Sequence, residues 1–168
     1  MIRLSTKLPD KLAIAVSGGP DSMAVLDFLS RSNKEILVLH FNHGTPHAQG
    51  AENIVSDYCG LGNISYVIGD LKEAVPAGVS KEDFWRKARY DFFEMESGDL
   101  PVITCHHLDD AVETWLFTAL HGEARLIPSQ RGRDLRPFLE TRKAVFEDWC
   151  ARKDVPYIID PSNFDTSF

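Results

Sequence analysis

The chain has 168 residues, 43% of them hydrophobic and 26% charged, a composition that fits a single α/β-sized globular domain and excludes disordered and fibrous classes. Its net charge of −7 excludes a protein that coats nucleic acid through a broad basic surface. No stretch approaches the roughly 20 apolar residues of a membrane span, Met1-Ile2-Arg3-Leu4-Ser5 has no apolar signal core, and Cys59, Cys105 and Cys150 are too scattered for a CxxC pair or a disulfide framework. The expected setting is the cytoplasm, with reduced thiols.

Short apolar runs alternate with helical patterns, the arrangement that builds parallel sheets from βαβ units. Leu12–Val16 predicts a first strand. Ser17-Gly18-Gly19-Pro20-Asp21-Ser22 follows it and opens a helix over Asp21–Arg31. At such a strand-to-helix turn, backbone N–H groups and the helix dipole hold anions, two glycines permit close approach to phosphate oxygens, and the Ser17 and Ser22 hydroxyls add donors. A glycine-rich turn that holds nothing is the alternative. Ile36–Phe41 predicts the second strand, closed by His40, Asn42 and His43, and His47–Cys59 the second helix. Gly60-Leu61-Gly62 follows a helix instead of a strand and reads as a turn rather than a dinucleotide fingerprint.

Ile64–Ile68 predicts the third strand. Ser80, with Asp83 three residues on, caps a third helix over Lys81–Met95. Trp85, Ala88 and Phe92 form its apolar stripe. Arg86, Arg89 and Tyr90 fall on the other side, where the two guanidinium groups suit phosphate or form a solvated basic face. Pro101–Cys105 predicts the fourth strand and Asp109–Leu120 the fourth helix, whose Val112, Trp115, Leu116, Ala119 and Leu120 make one apolar stripe expected to face the sheet. Leu139–Arg152 predicts the fifth helix and Pro156–Ile159 the fifth strand. The expected architecture is α/β: a single domain over residues 1–168 with a doubly wound, mainly parallel five-stranded sheet, helices on both faces and a Rossmann-like outline.

His106, His107, Asp109, Asp110 and Glu113 stand at the end of the fourth strand and in the next helical turn, the carboxyl edge where α/β sheets bind ligands. Asp110 and Glu113 are three apart and Asp109 and Glu113 four apart, a spacing that lets carboxylates converge. Magnesium arriving with phosphates would offset their charge; compensation of the helix dipole would need no metal. No Cys/His set has structural-zinc spacing. There is no Gly-Lys dipeptide, hence no Walker-type loop. From Arg125 to Lys143, the basic residues Arg125, Arg131, Arg133, Arg136, Arg142 and Lys143 face only Asp134 and Glu140, six against two, an excess of four positive charges. This is the expected RNA-binding segment.

Together these motifs carry a resemblance. Ser17-Gly18-Gly19-Pro20-Asp21-Ser22 resembles the SGGxDS loop of the PP-loop, or N-type, ATP pyrophosphatases, whose fold is the adenine nucleotide alpha hydrolase-like one. His40-Phe41-Asn42-His43-Gly44, Glu82-x-x-Trp85-Arg86-x-x-Arg89-Tyr90, His106-His107-Leu108-Asp109-Asp110-x-x-Glu113-Thr114, Arg136-Pro137-Phe138-Leu139 and Asp160-Pro161-Ser162-Asn163 are similar, in that order, to the N-terminal domain of tRNA(Ile)-lysidine synthetases. The resemblance implies a ligase that uses ATP and Mg²⁺, adenylates a tRNA anticodon cytidine with release of pyrophosphate, and completes lysidine with free lysine.

It also implies the roles of the site residues. Ser17, Gly18, Gly19, Asp21, Ser22, His40, Asn42, His43 and Arg89 would bind ATP. Asp21, Arg86, His106, Asp110 and Glu113 would be catalytic, with Asp21, Asp110 and Glu113 at the metal. Trp85 stands where the family usually has alanine, Thr45-Pro46 replaces Leu-Arg, and Ala124-Arg125-Leu126-Ile127-Pro128 replaces Gly-Leu-x-Gly-Met. The chain is short at its C-terminal end relative to the family, so self-association or a partner protein is expected to supply the missing tRNA-binding surface. A tRNA sulfurtransferase with the same loop, or a truncated nucleotide-binding decoy without catalysis, are the other readings.

Overall fold

The computed structural model describes residues 1–159. Its elements run β1 (Lys11–Ala15), α1 (Pro20–Ser30), β2 (Glu35–Asn42), α2 (Ala48–Gly62), β3 (Ser65–Asp70), α3 (Lys81–Ser97), β4 (Val102–Ile103), α4 (Leu108–Leu120), β5 (Gln130–Arg131), β6 (Asp134–Leu135) and α5 (Lys143–Lys153). The strands form one six-stranded sheet in the order β3-β2-β1-β4-β6-β5, parallel except for β5 against β6. The doubly wound α/β architecture expected from the sequence is therefore present.

Side chains alternate across β1, as a two-sided strand requires. Leu12 and Ile14 enter one core with residues of α1, Val55 and Cys59 of α2, and Phe146 and Cys150 of α5. Ala13 enters the other, with Leu39, Val102, and Phe92 and Phe93 of α3. Helix α1 lies between sheet and α5, so Met23, Ala24, Val25, Leu26 and Leu29 are all buried. Asp27, also buried there, accepts hydrogen bonds from Arg31 (Nε and Nη2, each 2.8 Å), Tyr58 Oη of α2 (2.6 Å) and Trp149 Nε1 of α5 (2.8 Å). One carboxylate thus ties three helices.

Four expectations are corrected. Pro156–Ile159 forms no strand; Pro156 lacks the N–H a ladder needs, and the sheet grows instead by the β5–β6 hairpin, turned at Gly132 (φ 60°). Gly60-Leu61-Gly62 is the last turn of α2, which stops at Asn63 in the left-handed conformation. Helix α5 starts at Lys143 rather than Leu139, because Thr141 closes a turn onto the Phe138 carbonyl. The apolar stripe of α4 does not face the sheet: α4 has no buried residue, and Leu116 and Leu120 are 50% and 84% exposed.

Candidate functional site

The β1–α1 loop is organised by its own hydroxyls. Ser22 Oγ accepts from the Ser17 N–H (3.1 Å), lies 3.1 Å from Ser17 Oγ and donates to the Gly19 carbonyl (3.1 Å). Gly18 has φ 86°, and a Cβ there would lie 2.9 Å from Ala51 Cβ, so a glycine is needed both for the turn and for close packing on α2. Gly19 caps α1 without any side chain and Pro20 occupies its first turn. The first-turn amides of a helix have no intrahelical partner, and such a terminus favours an anion.

The loop opens onto a cleft of about 840 Å³ at the carboxyl ends of β1, β2 and β4. Ser17, Gly19, Asp21, Ser22, His40, His43, Arg89, His106 and Asp110 line it, so most of the sequence-predicted site is brought together there. His107, which sequence reasoning left without a role, joins the two carboxylates. It is buried, its Nε2 lies 3.6 Å from Asp21 Oδ2, and its Nδ1 accepts from the Asp110 N–H (3.3 Å) while Asp110 Oδ2 accepts from the His107 N–H (2.8 Å). This reciprocal capping of α4 has a signal in the sequence, a polar residue followed three on by an acid. Burial opposes a charge on His107, but the contact with Asp21 and the charges of Asp110 and Asp109 outweigh it and raise its pKa above the ordinary value.

Burial disfavours the charged form of three further histidines, His40, His43 and His106. Burial lowers the pKa of His40, whose Nδ1 lies 2.8 Å from the Val16 carbonyl and must carry the proton, leaving Nε2 a bare acceptor. Burial, then Arg89 and His40, lower His43 to about 4. Burial also lowers His106, whose Nδ1 lies 2.9 Å from Thr104 Oγ1. His40 Nε2, His43 Nδ1 and Asp21 Oδ1 are all buried without a hydrogen-bond partner. Trp85 stacks on His43 (5.2 Å between rings) with Lys81 Nζ 4.3 Å from its ring, so Trp85 belongs to the cleft wall, beside Arg89, and not to a core-facing stripe. Cys105 also lines the cleft; burial, then Asp21 and Asp110, push its pKa far up, so it stays a thiol.

Several expected residues lie elsewhere. Asn42 is buried behind the cleft, donating to Glu52 Oε2 (2.7 Å) and accepting from the Gly44 N–H (2.8 Å), which fixes the turn after β2. Glu113 is exposed and shares a shallow groove with Asp109, Leu116 and Arg142; Asp109 accepts from the Lys143 N–H (2.7 Å). The three carboxylates of α4 therefore do not converge on one site: Asp109 and Glu113 share this groove, while Asp110 lines the cleft. Arg86 lines a neighbouring cavity across Tyr90 from Arg89.

The segment of excess positive charge is also dispersed. Arg125 pairs with Glu123 and Arg133 with Glu94 and Asp99, while the exposed Arg142 lines the groove beside Asp109 and Glu113. Arg136 is 4% exposed and donates from Nη1 to the Pro128 carbonyl (2.9 Å). Those acidic partners lie outside the Arg125–Lys143 segment, so counting charge along the chain overstates the patch. The Asp160-Pro161-Ser162-Asn163 motif lies outside the described residues.

A phosphate-ready loop and paired carboxylates at the carboxyl edge of a doubly wound sheet define a nucleotide-binding α/β protein. The family described as PP-loop domain matches residues 3–168, and the chain belongs to it. Within it the chain is 35% identical, over 92% of its own length, to the bifunctional protein TilS/HprT of Listeria monocytogenes and 31% identical, over 92%, to the tRNA(Ile)-lysidine synthase of Malacoplasma penetrans. It spans 27% and 57% of those two proteins' lengths. In fold it is similar to the NH3-dependent NAD synthetase of Campylobacter jejuni (TM-score 0.57, 14% identity, 90% of this chain and 66% of that one) and to the NMN synthetase of Francisella tularensis (TM-score 0.57, 14% identity, 88% and 63%).

Proposed function

We propose that this chain is the ATP-cleaving, base-adenylating part of a tRNA(Ile)-lysidine synthetase, splitting ATP into AMP and pyrophosphate. The observation that carries this reading is the set of buried, unpartnered polar atoms around the loop: Asp21 Oδ1, His40 Nε2 and His43 Nδ1. Buried polar groups are almost always satisfied, so a cleft that leaves three open is built for a polar occupant. The loop hydroxyls and first-turn amides of α1 receive the pyrophosphate portion. His40 Nε2, an acceptor, suits an exocyclic amine such as that of adenine, beside the ring of His43.

The residues fit a magnesium ion that arrives with the nucleotide. Asp21 and Asp110 face the same cleft, and Mg²⁺ prefers one or two carboxylates plus phosphate oxygens. Among the described residues no three His, Cys, Asp or Glu side chains form a site able to hold a metal alone. Bound there, the ion would neutralise charge on the leaving pyrophosphate. Glu113 lines the neighbouring groove rather than the cleft and would take no part in this. Arg89, whose pKa burial lowers and whose guanidinium lines the cleft, would hold the α-phosphate while a cytidine oxygen approaches. Positioning and charge neutralisation are the main contributions available to such a site. The acceptor is an unstacked cytidine of a single-stranded loop, and free lysine then displaces AMP. The protonated Cys105 speaks against a thiolate-driven sulfur transfer.

Thin-layer separation of the products of α-labelled ATP, with tRNA and lysine present, tests the reading. AMP is the expected labelled product, and Asp21→Asn abolishes it; ADP as the main product refutes the assignment.

A further inference from the structure

A second cavity, of about 470 Å³, lies between α3 and the β5–β6 hairpin. It meets the ATP cleft at Tyr90, which lines both, with the Arg86 and Arg89 guanidinium carbons 5.6 and 5.8 Å from that ring's centre. Its floor holds two polar side chains that are both 4% exposed, Ser97 and Arg136, and Ser97 Oγ and Arg136 Nε have no hydrogen-bond partner. An unsatisfied buried donor costs roughly 1–3 kcal/mol, and two on residues that line one cavity mark a place for an acceptor. Arg86 and Arg131 stand on its walls. Of the remaining charged residues on the lining, Lys87 pairs with Asp91 and Arg133 with Glu94, leaving the carboxylates of Asp83 and Asp134; burial raises the pKa of Asp134 against the opposing pull of Arg136, Arg131 and Arg133.

We propose that this cavity is a phosphate-binding site separate from the ATP cleft, in which Arg136 Nε and Ser97 Oγ donate to a phosphoryl oxygen and Arg86 and Arg131 flank it. Planar guanidinium groups match phosphoryl oxygens in pairs, which suits this grouping better than a single lysine would. A backbone phosphate of the RNA strand whose base enters the cleft would reach it, as would free phosphate or pyrophosphate. The RNA source rests on the function proposed above; the phosphate site does not.

The test follows the Arg136 Nε–H resonance of the 168-residue protein by ¹⁵N NMR, with the cleft saturated by α,β-methylene-ATP. The probes are inorganic phosphate, pyrophosphate and a short anticodon stem-loop RNA. The stem-loop is expected to shift the resonance. Arg131→Ala is expected to remove most of that shift, weaken RNA binding about tenfold and lower the slope of log K against log salt by about one. Ser97→Ala, which removes only an unpaired hydroxyl, is expected to keep its thermal stability and its affinity for α,β-methylene-ATP while losing response to phosphate. A response to phosphate or pyrophosphate but not to RNA supports the site and refutes the RNA source. No response to any probe while α,β-methylene-ATP binds, or responses unchanged in both variants, overturns the site and leaves the ATP reading standing.

Discussion

Asp27 is the residue whose removal should cost the fold most for its size. Its carboxylate is the shared acceptor for Arg31, Tyr58 and Trp149, and burial, which by itself would raise its pKa, is outweighed by the hydrogen bonds from those three residues and the charge of Arg31, so the pKa is lowered. Asp27→Ala strands a phenol and an indole N–H between helices and should destabilise the protein by roughly 3 kcal/mol in urea unfolding. Nothing in the local sequence announces this, because an acid among apolar residues of a helix looks the same whether it faces water or three donors. His43 gives a pH-dependent counterpart. Its folded pKa is near 4 against an ordinary 6.5, so between those values the unfolded chain takes up a proton that the folded chain refuses, and stability falls as pH falls. His40 and His106 act in the same direction and His107 in the opposite one. The difference between wild type and His43→Gln isolates one group: wild type should lose ground to the variant as pH drops from about 6.5 toward 4, and a pH-independent difference would show that His43 is not held neutral.

Elements were legible where local chemistry and tertiary packing agree. The β1–α1 loop follows from two glycines and two serines at a strand end, and α3 begins at Ser80, whose Oγ accepts from the Asp83 N–H (3.4 Å). Helix α4 shows the opposite case. Periodicity locates the helix and its apolar face, but the period carries no information about what covers that face. Leu116→Ala should accordingly change stability by less than about 1 kcal/mol, whereas Phe146→Ala, in the core, should cost about 3–5 kcal/mol. Equal costs in denaturant unfolding would mean that α4 is packed in solution. The β5–β6 hairpin escaped notice because each strand has two residues, too few for a period, and Gln130, Arg131 and Asp134 are polar. Of the site, the cleft-lining residues of the loop and of β2 were readable from motif order. His107, Trp85 and the turn of Glu113 away from the cleft depend on which way each helix rolls against the sheet.

At the scale of the whole molecule, nucleotide binding and RNA chemistry make different demands. The loop, the histidines of β2 and the Asp110 turn all sit on one sheet edge, so the 168-residue chain should bind ATP by itself. Placing a base within about 1 Å is harder, since a misplacement of that size can cost roughly 100-fold in rate. The curated relatives above are longer, and three of the five arginines between Arg125 and Lys143 are paired or buried. Lysine incorporation into an anticodon stem-loop by this chain alone should therefore be weak or absent while ATP binding is measurable; robust incorporation by a monomer would refute that expectation. Distant parts of the chain also meet at the loop. The Ile158 N–H donates to the Gly18 carbonyl (2.9 Å), and the Ile158 side chain packs where a Cβ on Gly50 would stand, 2.9 Å from Cδ1. That single amide is thus a built-in clock for the loop. Its exchange with deuterium should slow when nucleotide clamps Gly18 in place, turning occupancy of the cleft into one isolated, readable rate some 140 residues along the chain.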